Sequence, residues 1–465
     1  ISEITGYPEL LDGRVKTLHP LIYGGILADR NKPKHMMQLK EYNMPEIDIV
    51  VVNLYPFRES VRKGMALEEV IENIDIGGVA LIRAAAKNYR NITVVVDPSD
   101  YEKIMLELKE FGQLSIKTRE ALAIKAFEHT SDYDYFIADY LGKTIAEQKF
   151  PSTLRLRYEK VKELRYGENP HQSAALYKDE EIFPDSVLAA NKIQGKDLSY
   201  NNINDLNSAL ELLREFDEKT VVIIKHSNPC GVACGSSVLE AYNKAYESDA
   251  MSAYGGIIGA NCEIDVETAE QITQTFYEAI IATGYEEEAL KILGRKKNLM
   301  VLDLGKGTKI KLHKGLEMRS IVGGIVVQEI DTHSIDVSNL KPVTPRKPTK
   351  DEVEDLVFAW KVAKHVKSNS IVIAKEKQTL GIGAGQMSRV DSAKIAIAKA
   401  GQRTIGSCMA SDGFIPFKDT IEEAAKAGIV AIIQPGGSIR DQEVIQSASD
   451  HGIAMVFTGI RCFRH

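Results

Sequence analysis

An unbroken run of β-branched residues, Val221-Val222-Ile223-Ile224, constrains this chain more than any other feature. Branched side chains pack well on a pleated surface, so the run reads as a buried strand. Lys225, His226, Ser227, Asn228, Pro229, Cys230 and Gly231 follow, and Pro229 and Gly231 are expected to stop the strand at once. Lys225 and His226 are then left at the strand's carboxyl end, where open α/β sheets place their ligands. The lysine supplies a fixed cation and the histidine a group that exchanges a proton near neutral pH. Taken alone, these residues read equally well as a charged strand end facing solvent.

The surroundings favour α/β architecture. Asp48 to Leu54 and Ile92 to Val96 read as strands, Leu67 to Ile74 and Val79 to Asn88 as helices, and Ser99 or Asp100 as the cap of another helix. Alternation at these lengths implies a parallel sheet. A helical pattern runs from Thr118 to about Gln148, and the polar stretch Pro151 to Lys162 suggests a boundary. We therefore expect one domain over 1–150 and a larger region over 163–465, itself divided near 335–350 and followed by a helix from Asp351 to about Val366. At the carboxyl end, Ile429 to Gln434 is a strand, Pro435 to Ser438 a turn, Arg440 to Asp450 a helix and Ile453 to Phe457 a strand. No internal repeat or low-complexity tract stands out.

Composition narrows the functions. With 465 residues, 44% hydrophobic and 26% charged, the chain looks globular, and no apolar run approaches the ~20 residues of a membrane span. The opening Ile1 to Gly6 shows no secretory signal. Five scattered cysteines argue against a disulfide framework and for the reducing cytoplasm. Cys230 and Cys234 lie four apart without the partners of a zinc site, so no metal is expected. A net charge of −7 argues against nucleic-acid binding, so an anionic ligand needs a local cluster of cations.

Three glycine turns, at Asp75 to Gly78, Gly381 to Gln386 and Pro435 to Ser438, are candidate anion cradles. The middle one lacks the third glycine of a dinucleotide fingerprint, and no phosphate loop of the Walker type exists. Leu164 to Gln172 crowds Arg165, Tyr166, Glu168, Asn169 and His171 around Gly167 and Pro170; the competing reading is a domain-entry loop with a structural arginine. Asn369, in Lys367 to Ser370, reads either as a site residue or as a helix C-cap. Arg14 and Lys16 fall on one side of an extended segment. With Tyr55, Asp75 and Lys87 they would make a site able to bind a phosphorylated amide, although spacing alone does not bring them together.

Ten segments then converge. Gly13 to Pro20, Asn53 to Phe57, Ile74 to Gly78, Arg83 to Asn88, Leu164 to Gln172, Lys225 to Gly231, Lys367 to Ser370, Gly381 to Gln386, Ser411 to Phe417 and Arg461 to His465 resemble, in order, the bifunctional aminoimidazole carboxamide ribonucleotide (AICAR) formyltransferase and IMP cyclohydrolase family of purine biosynthesis, in its bacterial form. The resemblance implies an N-terminal methylglyoxal-synthase-like parallel-sheet domain and a formyltransferase region of two cytidine-deaminase-like α/β/α subdomains. It implies formyl transfer from 10-formyltetrahydrofolate to AICAR, then closure of formyl-AICAR to IMP with loss of water.

By the same resemblance, His226 is the base and Lys225 its electrostatic partner. Arg165, Tyr166, Asn369, Arg389, Phe414 and Arg461 hold the nucleotide, and Pro416, Asp419 and Ser438 the folate. Lys16, Tyr55, Asp75 and Lys87 serve ring closure, with Arg14 binding substrate. Neither metal nor ATP is required; a structural monovalent cation and a homodimer are implied. Departures are Tyr23, where the family usually has histidine, and Gly413 and Ile415 around Phe414. Ile1 falls after the family's phosphate loop for cyclisation. The alternatives are therefore a formyltransferase without cyclohydrolase activity and, more remotely, a nucleotide-binding module without chemistry.

Overall fold

A computed structural model describes residues 1–8, 11–145 and 149–465, with only the backbone of Asp12. It separates into two compact units, Ile1–Leu156 and Arg157–His465. Among the described residues no helix is long and apolar enough to cross a membrane.

The first unit is built on two parallel strands, β1 (Ile49–Val51) and β2 (Thr93–Val95), in register Ile49 to Thr93. The helix Gly77–Lys87 turns Ile82, Ala85 and Ala86 inward, at the three- and four-residue spacing of one helix face. They pack with Ile22, Ile26, Val50 and Val94. The long helix Ile116–Ile145 closes the core with Ala123 and Ala126; the expected continuation to Gln148 lies outside the described residues. Asp100, one of the two expected caps, stands at the N-cap of the helix Tyr101–Phe111 without a side-chain capping bond, and Asp97 caps the short turn before it, accepting the Ser99 N–H at 2.9 Å.

In the second unit, β3 (Glu159–Leu164) and β4 (Ala174–Lys178) form an antiparallel hairpin. Next come β5 (Asn191–Gln194), β6 (Thr220–Lys225), β7 (Asn228–Cys234), β8 (Ile257–Ala260), β9 (Ala279–Ala282) and β10 (Met300–Asp303). A second hairpin, β11 (Leu316–Ile321) and β12 (Gly324–Glu329), precedes β13 (Lys341–Pro342), β14 (Ile371–Lys375), β15 (Gln378–Gly383), β16 (Cys408–Ser411), β17 (Ala431–Gln434) and β18 (Ala454–Phe457). Twelve strands share one sheet in the order β13-β18-β17-β16-β14-β15-β7-β6-β8-β9-β10-β5.

That order reads the same from its centre outward in both halves, which overturns the expectation of no internal repeat. Ser199 and Thr349 open equivalent helices, Tyr200–Leu213 and Lys350–Ala363, each with a capping box. Lys225 and Lys375 end equivalent strands, and both pairs of residues are separated by 150 positions. Each half contains an antiparallel hairpin followed by parallel strands, so the sheet is mixed.

Val222 and Ile224 face one core, with Leu206, Leu210, Phe358 and Trp360 from the two equivalent helices; Val221 and Ile223 face another, under the helix Val238–Ser248. A strand buried on both faces has no polar alternation, which explains the run. On the far half, Ile371 and Ile373 pack under Arg389–Ala400, Asp419–Lys426 and Asp441–Asp450. Pro229 and Gly231 do not stop the sheet; they lie within β7, where Pro229 stands opposite Ile224 at a register shift. Gly381 and Gly383 likewise lie in β15 rather than in an anion-binding turn. The helix expected to reach Val366 ends at Ala363 with Lys364 as its C-cap, so Asn369 is not a helix cap.

Candidate functional site

Lys225 ends β6 and Asn228 begins β7, leaving His226 and Ser227 as a two-residue loop with φ of +53° and +58°. Positive φ at both positions is the signature of a type I′ turn, which favours Asn and Gly. A side chain held there costs roughly 1–2 kcal/mol per residue. The loop is anchored: Asp205 Oδ1 accepts the Ser227 N–H at 2.7 Å, and Asn228 Nδ2 donates to the His226 carbonyl at 3.1 Å. His226 is exposed, while Lys225 is half-buried and donates from Nζ to the Tyr254 carbonyl at 2.7 Å. An ammonium has three donors, so this bond aims the lysine and leaves donors for a ligand.

Both residues line a cavity of about 240 Å³ with Asn228, Cys230, Ser252, Gln386 and Lys399. Asn369 joins this rim indirectly: its side-chain amide donates to the Gln386 carbonyl at 2.8 Å, and Asn228 Oδ1 accepts the Lys367 N–H at 3.0 Å. Burial, reinforced by the Asp249 charge, pushes the Cys230 thiol up to about 12, so it stays protonated. Among the described side chains that line the cavity, His226 carries the only imidazole.

Arg389, which the resemblance assigns to the nucleotide, is held from within the protein. It is buried, ion-paired through Nη1 with the fully buried Asp412, and Nε donates to the Phe414 carbonyl at 2.8 Å. Its guanidinium thus shapes the chain around Phe414, whose ring is exposed. Arg461 is exposed and lies over the Phe463 ring, 5.1 Å from its centre. Arg165 and Tyr166 follow β3, with Nη2 donating to the phenol oxygen at 2.9 Å. Asn201 Nδ2 ties the same loop to the Tyr200–Leu213 helix through the Glu168 carbonyl at 3.2 Å.

Pro435 to Ser438 is not an open anion cradle. The Gly437 and Ser438 N–H groups are already taken by the Asp441 carboxylate, at 2.7 and 3.1 Å. Ser438 Oγ accepts the Arg440 N–H at 3.1 Å. Asp419 opens its helix exposed, and Pro416 is half-buried between the two exposed rings Phe414 and Phe417.

In the first unit, Arg14 and Lys16 lie in successive turns rather than an extended segment, with Arg14 paired to Glu72. Thr17 packs against Gly77 so closely that a Cβ there would collide with its hydroxyl. Leu54, beside the exposed Tyr55, presses on Gly78 in the same way. The 13–17, 53–55 and 75–78 segments therefore meet at one helix N-terminus. Asp75 Oδ1 accepts the Gly78 N–H at 2.6 Å, so this cradle is partly filled by its own carboxylate. Lys87 ends the same helix, about 15 Å of axial rise from Gly77, and is not drawn into that cluster.

Asp205, Ser252 and Lys399 escaped the sequence reading, and Gln386 entered it only as the end of the Gly381 to Gln386 segment. Asp205 had a usable signal, since Asp355 stands at the equivalent place in the second half and accepts the Glu376 and Lys377 N–H groups at 3.0 and 2.9 Å. Among the described residues no group of three or more His, Cys, Asp or Glu side chains is placed to hold a metal ion.

The AICARFT/IMPCHase bienzyme family model matches residues 85–399, and the MGS-like domain model residues 1–80. The junction between them falls inside the Gly77–Lys87 helix, so the matched stretches are not the two compact units. Proteins described as bifunctional purine biosynthesis protein PurH from Acetivibrio thermocellus, Ruminiclostridium cellulolyticum and Bacillus cereus are 55%, 52% and 53% identical. Each alignment covers 100% of this chain and 91% of the relative. A solved structure, ForH, aligns at 35% identity over 30% of this chain and 74% of its own, with a TM-score of 0.27, too little superposition to bear on the fold.

Proposed function

The chain belongs to the AICARFT/IMPCHase bienzyme family, and from that premise we propose how its residues divide the two reactions. It catalyses formyl transfer to AICAR and cyclisation of formyl-AICAR to IMP, with a folate as one-carbon donor. The donor we assign is 10-formyltetrahydrofolate.

The observation that carries the residue assignment is the His226 turn on the rim of a cavity that Lys225 also lines. The AICAR 5-amine is a weak nucleophile because its lone pair is delocalised. As it attacks the formyl carbon, His226 removes its proton. The carbonyl becomes an oxyanion facing the Lys225 ammonium, whose remaining donors stabilise it. Collapse breaks the bond to folate N10, which takes up a proton from Lys225 or from the protonated His226. Arg165, Tyr166, Asn369 and Arg461 hold the nucleotide, with Phe414 stacked on its ring. Pro416, Asp419 and Ser438 border the folate. Arg389 acts from behind, through Asp412 and the Phe414 carbonyl.

Ring closure is intramolecular: the carboxamide nitrogen attacks the neighbouring formyl carbon and water leaves. Proximity supplies most of the acceleration. We assign Arg14, Lys16, Tyr55 and Asp75 to this reaction; they belong to the segments that meet at the Gly77 helix N-terminus, where the Asp75 carboxylate already takes the Gly78 N–H. Lys87, at the far end of the same helix, is assigned to ring closure by the resemblance alone.

A structural monovalent cation finds support in Ser370 Oγ, which is buried without a hydrogen-bond partner among the described residues. It lies near the buried Asp412, whose N–H donates to the Ser370 carbonyl at 3.4 Å. We also place the enzyme in the cytoplasm as a homodimer; all five cysteines are free.

Formyl transfer is tested with AICAR and 10-formyltetrahydrofolate in the absence of metal and ATP. His226→Ala should abolish turnover while AICAR still binds, and an active variant removes His226 as the base. Supplying formyl-AICAR and following IMP absorbance tests ring closure separately. No IMP from a chain that still transfers formyl leaves the formyltransferase alone.

A further inference from the structure

The loop that carries His226 is anchored by a carboxylate with no assigned part in the chemistry. Asp205 lies on the Tyr200–Leu213 helix, one turn beyond Asn201, and reaches across to the β6–β7 hairpin. Its Oδ1 accepts the Ser227 N–H at 2.7 Å and faces the Ser227 hydroxyl at 3.4 Å. Positive φ is uncommon for any residue but glycine, even for histidine, which is enriched there, yet His226 and Ser227 stand at +53° and +58°. An external acceptor on the loop's own N–H is what makes that conformation the stable one.

We propose that Asp205 is a positioning residue for formyl transfer, fixing through Ser227 the direction in which the His226 imidazole meets the substrate amine. The proposal rests on the reading of His226 as the base. The second half of the sheet supplies an internal control. Asp355 occupies the equivalent place and accepts two N–H groups from a loop of the same conformation, Glu376 and Lys377, each at φ of +53°. That loop carries no histidine. The same anchor thus appears once under the proposed base and once where only the fold is at stake.

The test compares full-length Asp205→Ala, Asp205→Asn, Asp355→Ala and His226→Ala for formyl transfer and for thermal unfolding. Asp205→Ala should lower kcat ten- to a hundredfold with KM for AICAR within threefold. Asp205→Asn keeps an acceptor oxygen for the Ser227 N–H and should recover most of that loss. Asp355→Ala should lose comparable thermal stability yet keep kcat within threefold. If Asp205→Ala does not fold, Asp205→Glu replaces it: the longer carboxylate displaces the loop, and the same fall in kcat at unchanged KM is expected. A folded Asp205 variant no slower than Asp355→Ala, beside an inert His226→Ala, overturns the positioning role alone. An active His226→Ala overturns the assignment of the base, and this proposal with it.

Discussion

Glu215 and His365 hold the same place in the two halves of the second unit, and they touch, with Glu215 Oε1 3.1 Å from His365 Nε2. Each lies two residues beyond an equivalent helix, so the contact falls where the halves join. Lys364 Nζ approaches the same carboxylate oxygen at 3.0 Å, and Lys361 Nζ donates to the Glu215 carbonyl at 2.6 Å. On the other side of the ring, Arg464 Nη1 lies 3.3 Å from His365 Nδ1, and Arg464 Nη2 donates to Glu211 at 2.6 Å. An arginine can only donate, so Nδ1 accepts and Nε2 carries the proton given to Glu215.

This arrangement requires a neutral imidazole and predicts a pH dependence. Burial holds the His365 pKa below its ordinary value, and the Glu215 carboxylate only partly offsets that. The unfolded chain therefore takes up this proton first, below about pH 6.5, and stability is lost as pH falls through that region. The unfolding temperature should drop between pH 7 and pH 5.5, and His365→Asn should flatten that slope. An unchanged slope in the variant would place the proton uptake elsewhere.

Arg389 offers a second test, because its buried pairing with Asp412 separates structure from ligand binding. Arg389→Met leaves a fully buried carboxylate without its cation, which costs about 3–5 kcal/mol. Denaturant unfolding should show that loss without any ligand present, and Arg389→Met with Asp412→Asn should regain part of it. A folded variant of full stability with a raised KM for AICAR would instead make Arg389 a direct nucleotide contact.

Where the candidate residues would fall was legible in the sequence because they sit at breaks between elements. Lys225 and His226 follow a run that can only be a buried strand, and Asn369 follows a helix by a few residues. What was illegible depended on pairing. Pro229 and Gly231 read locally as a stop, yet a two-residue turn sends them back into the sheet. The pairing of Arg389 with Asp412 was illegible because nothing in the neighbourhood of Arg389 reveals a partner 23 residues away. The repeat escaped because equivalent positions share role more than identity: Ser199 matches Thr349, and His226 matches Glu376.

One of the few identities shared by the repeats is a glycine that faces a helix. A Cβ on Gly231 would collide with the Ala245 carbonyl, and one on Gly381 with the Ala396 carbonyl. These are backbone atoms with little room to move, so Gly231→Ala and Gly381→Ala should each destabilise by about 1–3 kcal/mol. Gly231→Ala should also slow formyl transfer, because β7 carries Asn228 and Cys230 on the cavity rim. Equal thermal shifts with no loss of activity in Gly231→Ala would show that the strand moves without disturbing the site.

Lys225 should act on rate rather than affinity. Its ammonium is held by the Tyr254 carbonyl, aimed at the cavity in the absence of substrate. Lys225→Met keeps the length of the side chain and removes the charge. If the ammonium meets the oxyanion only as it forms, kcat should fall on the order of 100- to 1,000-fold with KM little changed. Steady-state kinetics with AICAR and formyl donor decide this, and a change confined to KM would make Lys225 a substrate anchor.

The proposed ring-closure residue Asp75 has its own positioning contact, in Tyr133. The phenol oxygen accepts the Asp75 N–H at 2.8 Å and donates to the Asn73 carbonyl at 3.0 Å, holding the turn that presents Asp75. Burial raises the Tyr133 pKa, so the hydroxyl remains protonated and able to donate. Its ring packs edge-on against Phe57, 6.3 Å between centres, so Tyr133→Phe removes two hydrogen bonds while keeping that packing. The half-buried Asp75 N–H is then left without its partner, at a cost of about 1–3 kcal/mol. If only part of that cost is expressed at Asp75, cyclisation of formyl-AICAR should slow about tenfold, the factor that 1.4 kcal/mol represents. Formyl transfer should be unaffected, since Lys225 and His226 belong to the other compact unit. Measuring both activities on one preparation gives the answer: equal losses would indicate general unfolding, and two unchanged rates would show that the Asp75 turn holds without Tyr133.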